Sequence, residues 1–168
     1  AAVASAFATV GPDTIAKFLF TSGSTGHPKA VINTQRMLCS NVQSRAQVWP
    51  FMEEERPVIV DWLPWNHTFG GNCNLGLCLA HAGTMYIDAG KPLPGLIETT
   101  VRNLREVSST MFFNAPRAYD ALLPFLRNDP ELRHSFFRRL KMIVFGSAAM
   151  PSHVWDELER LSILETGK

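Results

Sequence analysis

Charge of one sign is what this chain most plainly lacks: 16 Lys and Arg stand against 15 Asp and Glu over 168 residues, a formal net charge of +1. That balance sets up no long-range field, so neither nucleic acid nor an anionic membrane surface is expected as a partner. Cysteine is equally sparse. Cys39, Cys73 and Cys78 are odd in number and form no C-x-x-C pair, which indicates neither a disulfide framework nor a zinc site and fits a reducing, cytoplasmic setting. The opening AAVASAFATV has no initiator Met and no basic residue, so a signal peptide is not expected and a truncated start is. Between Asp61 and Asp88 there is no charged residue at all, a run long enough on count alone to span a bilayer. Asn66, His67, Asn72, Asn74, His81 and several glycines interrupt it, so it is expected to line a buried cleft rather than cross a membrane.

What the chain does have is a repeated switch between short strand-like runs and longer helical ones. Strands are expected at Ala16 to Phe20, Val58 to Trp62, Thr84 to Ile87, Thr110 to Phe113 and Lys141 to Phe145. Between them Leu38, Val42, Ala46 and Trp49 recur at helical spacing, as do Ile97, Val101 and Leu104. Asn114 ahead of Pro116, and Asp129 ahead of Pro130, carry the cap-then-proline signature of helix starts. A last helix is expected from Pro151, with Val154, Leu158 and Leu161 on one face. Strand and helix alternating at this spacing predict an α/β fold, a layered and largely parallel β-sheet with flanking helices. Ligands gather at the carboxyl ends of such strands. Three loops of polar or small residues follow strands here: Thr21 to Lys29, Pro64 to Gly71, and Gly146 to Ala149.

The first loop, TSGSTGHPK, is the most informative. Ser22, Ser24 and Thr25 supply hydroxyl donors, Gly23 and Gly26 let successive amides turn toward one anion, and Lys29 adds a positive charge. A polyphosphate needs that set. The spacing is not that of the G-x-x-x-x-G-K-S/T phosphate loop, and it is not a G-x-S-x-G nucleophile elbow. Composition alone is equally compatible with a flexible surface connection.

The stretch resembles the signature loop of the adenylate-forming (AMP-dependent synthetase and ligase) superfamily, approximately Ser/Thr-Ser-Gly-Ser/Thr-Thr-Gly-x-Pro-Lys-Gly. Thr21 to Lys29 match every defined position and Ala30 departs from the final glycine. DWLPWNHTFGG (Asp61 to Gly71) is similar to the family's second region, FGSAAMP (Phe145 to Pro151) to its small-residue loop, and MFFNAP (Met111 to Pro116) to a pocket-lining turn. The resemblance runs from about Lys17 to Leu161. Within the superfamily the wording VINTQRML, DWLPWNHTFGGN and YIDAGKP most resembles feruloyl-CoA synthase and related aromatic-acid CoA ligases.

That resemblance implies an acid–thiol ligase using ATP, Mg²⁺ and coenzyme A to adenylate a small carboxylic acid, aromatic and hydroxycinnamate-like, and pass it to the thiol; the alternatives are an adenylation domain that loads a carrier-protein thiol and a non-catalytic nucleotide- or acyl-binding module. Thr21, Ser22, Gly23, Ser24, Thr25, Gly26 and Lys29 would grip the phosphates, with Thr21 toward Mg²⁺. Ser147 and Ala148 would lie against the nucleotide. Trp65, His67, Phe69, Gly70 and Asn114 would border the acyl pocket, and His67 and Lys29 would act on the reacting groups. Trp62 is as readily core. His81, His134 and His153 lack supporting partners and read as surface or structural residues, and Arg138, Arg139 and Lys141 as a solvated helix end. No Y-G-x-T-E loop follows, so residues 1–168 are expected to be one partial domain, the central portion of an N-terminal ATP- and acyl-binding domain, inactive alone.

Overall fold

The computed structural model describes residues 1–21 and 26–168. Six strands appear among them: β1 (Ile15–Thr21), β2 (Lys29–Thr34), β3 (Val58–Asp61), β4 (Thr84–Ile87), β5 (Met111–Asn114) and β6 (Met142–Phe145). The helices are α1 (Ala2–Phe7), α2 (Gln35–Val48), α3 (Phe51–Glu54), α4 (Gly76–Ala80), α5 (Ile97–Glu106), α6 (Pro116–Asn128), α7 (Pro130–Phe137) and α8 (Ser152–Thr166), with a π-helix at Thr68–Leu75.

The fold is α/β, and its pairing is mixed. β3 runs parallel to β4 and β5 parallel to β6, whereas β1 and β2 form an antiparallel hairpin with Thr21 opposite Lys29. The expectation of a largely parallel sheet therefore fails at the hairpin. KAVINT, which forms β2, is half polar and largely exposed, so it carries none of the apolar alternation that marks a half-buried strand. The two parallel pairs meet where β3 lies beside β5, with the Thr110 N–H donating to Val58 O at 2.9 Å and the Val58 N–H donating to Thr110 Oγ1 at 2.9 Å.

β3 and β5 are central because successive side chains feed two different cores. Val60 and Phe112 enter a layer built on Val101, Leu104, Leu122, Leu126, Phe136 and Leu158. Ile59, Met111 and Phe113 point the other way, into a smaller layer with Ala46, Met52 and Leu77. A strand buried on both faces needs this continuous apolar run, and each fully buried Phe or Leu contributes about 1.5–3 kcal/mol. Tyr119, fully buried on α6, sets its hydroxyl within 2.8 Å of Phe112 O and 2.7 Å of Val144 O, bridging β5 and β6 with one proton. Burial pushes that phenol well above its ordinary range.

Helix starts divide the two cap expectations. Asp129 Oδ1 accepts the Leu132 N–H at 3.0 Å and caps α7, with Pro130 in the first turn. Asn114 does not cap α6: Ala115 holds that position without a side-chain bond, because β5 continues through Asn114, which pairs with Phe145. His134 and His153 are exposed as expected, but each has a carboxylate partner, Glu165 at 2.8 Å and Asp120 at 3.2 Å. Among the described residues no helix is long and apolar enough to cross a membrane.

Candidate functional site

Asp61 ends β3 and is buried, 3% exposed. Its Oδ1 accepts the Leu63 N–H at 3.0 Å, which turns the chain sharply into Leu63–Trp65. The His67 N–H donates to Pro64 O at 3.0 Å and the Gly71 N–H to His67 O at 2.9 Å, closing the turn onto the start of the π-helix. Gly70 and Gly71 are required by that closure. A Cβ on Gly70 would lie 2.6 Å from Pro64 O, and one on Gly71 would lie 2.1 Å from Trp65 O.

His67 stands at the N-terminus of the π-helix, where its Nδ1 accepts the Phe69 N–H at 3.1 Å. An Nδ1 that accepts places the ring proton on Nε2, so the exposed imidazole offers an N–H outward. Phe69 turns inward, edge-on to Phe113 at 6.3 Å between ring centroids. The same ring lies against Gly146, 3.4 Å from where a Cβ would be. The Gly146 N–H in turn donates to Asn114 O at 3.3 Å. Phe69 thus brings together the turn after β3, the end of β5 and the loop after β6.

The site residues expected from sequence fall into three groups. Trp65, His67, Phe69, Gly70 and Asn114 gather here with the loop that carries Ser147 and Ala148. Trp65 is 47% exposed on the turn. Asn114 is fully buried, and both polar atoms of its side chain lack a hydrogen-bond partner among the described residues. Ser147 takes a left-handed φ of 73°, an uncommon conformation for a residue with a side chain, next to exposed Ala148. The second group, Thr21, Gly26 and Lys29, frames the mouth of the β1–β2 hairpin: Thr21 Oγ1 donates to Lys29 O at 3.5 Å, Gly26 has φ 94°, and Thr21 and Lys29 are exposed. Ser22, Gly23, Ser24 and Thr25 form the third group and lie outside the described residues. The hairpin is held against the π-helix by Asn72 Nδ2, which donates to Asn33 Oδ1 at 2.8 Å. Ala30 pairs with Phe20 inside β2 and needs no positive φ, so its methyl group replaces the family glycine without strain.

Two buried carboxyls were not expected. Asp61, the last residue of β3, and Asp88, the first after β4, sit side by side, with the Asp88 N–H donating to Asp61 O at 2.8 Å. Asp88 is saturated: Gly90 N–H at 2.8 Å, Thr100 Oγ1 at 2.5 Å and Asn103 Nδ2 at 2.9 Å all donate to it. Asp61 is not saturated, since among the described residues Oδ2 has no partner and Asn74 lies beside it outside hydrogen-bond geometry. Burial pushes the Asp61 carboxyl above the usual range, against the pull of the Leu63 and Asn74 amides, and nearby Asp88 adds to the rise. The one signal in the sequence was that these two acids bracket the charge-free run.

Loops converge at the carboxyl ends of β3, β5 and β6, the place where α/β folds gather ligands. The chain belongs to the AMP-binding enzyme family, whose model matches residues 3–166. It is similar to a long-chain-fatty-acid–CoA ligase of Yersinia pestis, 29% identical over 91% of this chain and 27% of that one. It is also similar to a malonate–CoA ligase of Xenopus laevis, 27% identical over 89% of this chain and 27% of the relative. Among solved structures a malonyl-CoA ligase in ternary product complex with methylmalonyl-CoA and AMP superposes with a TM-score of 0.73, at 28% identity, over 95% of this chain and 32% of that one. The chain therefore spans about a quarter of the length of the curated relatives it matches.

Proposed function

We propose that residues 1–168 are the central portion of the N-terminal domain of an ATP-dependent acid–CoA ligase. The activity belongs to the longer protein: a carboxylate oxygen attacks the α-phosphorus of ATP and pyrophosphate leaves, then the coenzyme A thiolate attacks the acyl carbon and AMP leaves. The observation that carries this reading is Phe69, which seats the His67 turn, the end of β5 and the Gly146 loop on one another in a family of AMP-binding enzymes.

In this reading Thr21 and Lys29 hold the β- and γ-phosphates together with Ser22, Gly23, Ser24, Thr25 and Gly26. The exposed Lys29 ammonium supplies charge neutralisation, and the left-handed Gly26 suits a loop whose amides face an anion. Mg²⁺ on the polyphosphate would supply further neutralisation, with the exposed Thr21 hydroxyl as its protein ligand. His67 Nε2–H orients the attacking carboxylate and later the acyl carbonyl, because its Nδ1 is already committed to Phe69. Ser147 and Ala148, small and exposed, let the adenine approach the backbone. Trp65, Phe69, Gly70 and Asn114 wall the acid. The aromatic rings of Trp65 and Phe69 favour a planar, hydroxycinnamate-like acid of the kind used by feruloyl-CoA synthases, whereas the named relatives act on malonate and long-chain fatty acids. Incubating the longer protein with ATP, Mg²⁺, coenzyme A and a panel of aromatic, dicarboxylic and long-chain acids tests this. Thioester and pyrophosphate are expected with the aromatic acids, and no thioester with any acid would overturn the assignment.

A further inference from the structure

The underside of the His67 turn is lined by backbone carbonyls. Where a Cβ on Gly70 would sit, Pro64 O is 2.6 Å and Leu63 O 2.7 Å away, and where one on Gly71 would sit, Trp65 O is 2.1 Å away. That same point at Gly71 is 3.4 Å from Lys17 Nζ, so an ammonium group reaches the carbonyl-lined turn from β1. No residue between Asp61 and Asp88 is charged, and Lys17 brings a cation to that run from outside it. β1 is shaped to deliver it. Ile15 pairs with Thr34 but Lys17 pairs with Asn33, so Ala16 is an extra residue that bulges the strand. Without it Lys17 would stand opposite Ile32, on the other face of the hairpin. The bulge inverts the usual partition of side chains, leaving Phe18 and Phe20 exposed and Lys17 partly buried. Opposite Lys17, buried Asn33 accepts the hydrogen bond from Asn72 Nδ2 at 2.8 Å. One rung of the hairpin therefore meets two consecutive residues of the π-helix, Lys17 at Gly71 and Asn33 at Asn72.

We propose that Lys17 is a positioning residue of the ligase reaction: its ammonium, set against the carbonyls of the turn, fixes the His67 turn to the strand that leads into the loop assigned to the phosphates. The inference rests on the acid-ligase reading and adds to it a residue outside the Thr21 to Lys29 loop. Lys17 acts through its neighbours at both ends. On one side the Gly71 N–H donates to His67 O at 2.9 Å, so whatever holds Gly71 holds the histidine. On the other, Thr21 follows Lys17 by four residues on the same strand. A partly buried cation facing carbonyl dipoles is screened less than one in water, which makes the contact directional enough to set the distance between the acid and the α-phosphorus.

Lys17→Met in the longer protein keeps the length of the side chain and removes its charge. The kcat of acid-dependent pyrophosphate release is expected to fall about 10–100-fold, the order that misplacing a reacting group by about 1 Å costs, with KM for ATP within about threefold of the parent. Lys17→Arg, which restores a cation of similar reach, is expected to recover most of that rate. Deuterium exchange at the Gly71 amide reads the turn without any turnover, and is expected to quicken about tenfold in Lys17→Met and to return toward the parent in Lys17→Arg. Parent-like kcat or parent-like exchange in Lys17→Met, or losses that Lys17→Arg leaves unrecovered, would overturn the inference. No pyrophosphate release from the parent with any acid would overturn the ligase reading instead, and the exchange comparison would then decide the Lys17 contact alone.

Discussion

The β1–β2 hairpin and the β5–α8 half of the chain are opposites. In the hairpin Phe18, Phe20, Val31 and Ile32 are 47–68% exposed, yet this is where the sequence speaks most directly about chemistry. From Met111 onward, Phe112, Phe113, Tyr119, Leu126, Leu132 and Phe136 are essentially inaccessible to solvent, and apart from the Asn114 and Ser147 loops this half says nothing about substrates. Packing and function draw on different properties of a sequence. A core is written in spacing, which many residues satisfy, and a phosphate-holding loop is written in identity, which few do.

The sharpest break of that comparison is a pair of equivalent truncations. Phe112 is 1% exposed and edge-on to both Tyr119 at 5.6 Å and Phe136 at 5.3 Å. Phe112→Ala is expected to cost about 3–5 kcal/mol in urea unfolding, whereas Phe20→Ala, on a side chain 68% exposed, should stay within about 0.5 kcal/mol. A comparable loss at Phe20 would mean that the hairpin faces are covered in solution and that the contrast between the two regions is false.

Legibility follows the same division. TMYI between Gly83 and Asp88, and the Ile97, Val101, Leu104 spacing, gave β4 and α5 because one period dominates each. TFGGNCNL shows no 3.6-residue period, so the sequence pattern gives a loop for the first four residues of the π-helix, where only glycine fits the close approach of the Pro64 and Trp65 carbonyls. An Asn two residues before Pro is an equally good helix cap and strand end, and only the ladder from Asn114 to Phe145 decides between them. The aromatic and glycine positions expected from family likeness fall together on the turn after β3. The Asp61–Asp88 pair was not legible, because burial of a carboxyl depends on strand adjacency that no local pattern reports.

Lys29→Ala tests the functional side of the comparison. It removes an exposed charge, so the unfolding midpoint should not move, while pyrophosphate release by the longer protein should fall by about 10²–10³-fold, the usual loss for one donor on a transition-state oxyanion. An unchanged rate would remove Lys29 from the phosphate site. Gly71→Ala does the reverse. Its Cβ would collide with a backbone carbonyl at 2.1 Å, so the turn under His67 must shift, and stability should drop by about 1–3 kcal/mol along with activity. Retention of both would show that the turn is more pliant than its packing implies.

The smallest effect lies outside both regions, at Asp61 on the end of β3, and its sign is opposite to that of an ordinary acid. Burial and the Asp88 charge raise its folded-state pKa above the unfolded value, so the protonated form is the one the fold prefers. Its contribution is fully present below the unfolded carboxyl pKa of about 3.9 and is lost as pH rises through the folded pKa. Glu157 runs the other way: Arg160 and Arg127 hold it down to about 2, so its contribution is present above the unfolded value and disappears on acidification. Asp61→Asn keeps an oxygen for the Leu63 N–H and abolishes the titration. The variant should therefore unfold at higher urea than the parent at pH 7, with the gap closing as the pH is lowered toward 4. A variant less stable than the parent at neutral pH would mean that the carboxylate is ionised in the fold and that its unpartnered Oδ2 carries a favourable interaction the buried geometry does not reveal.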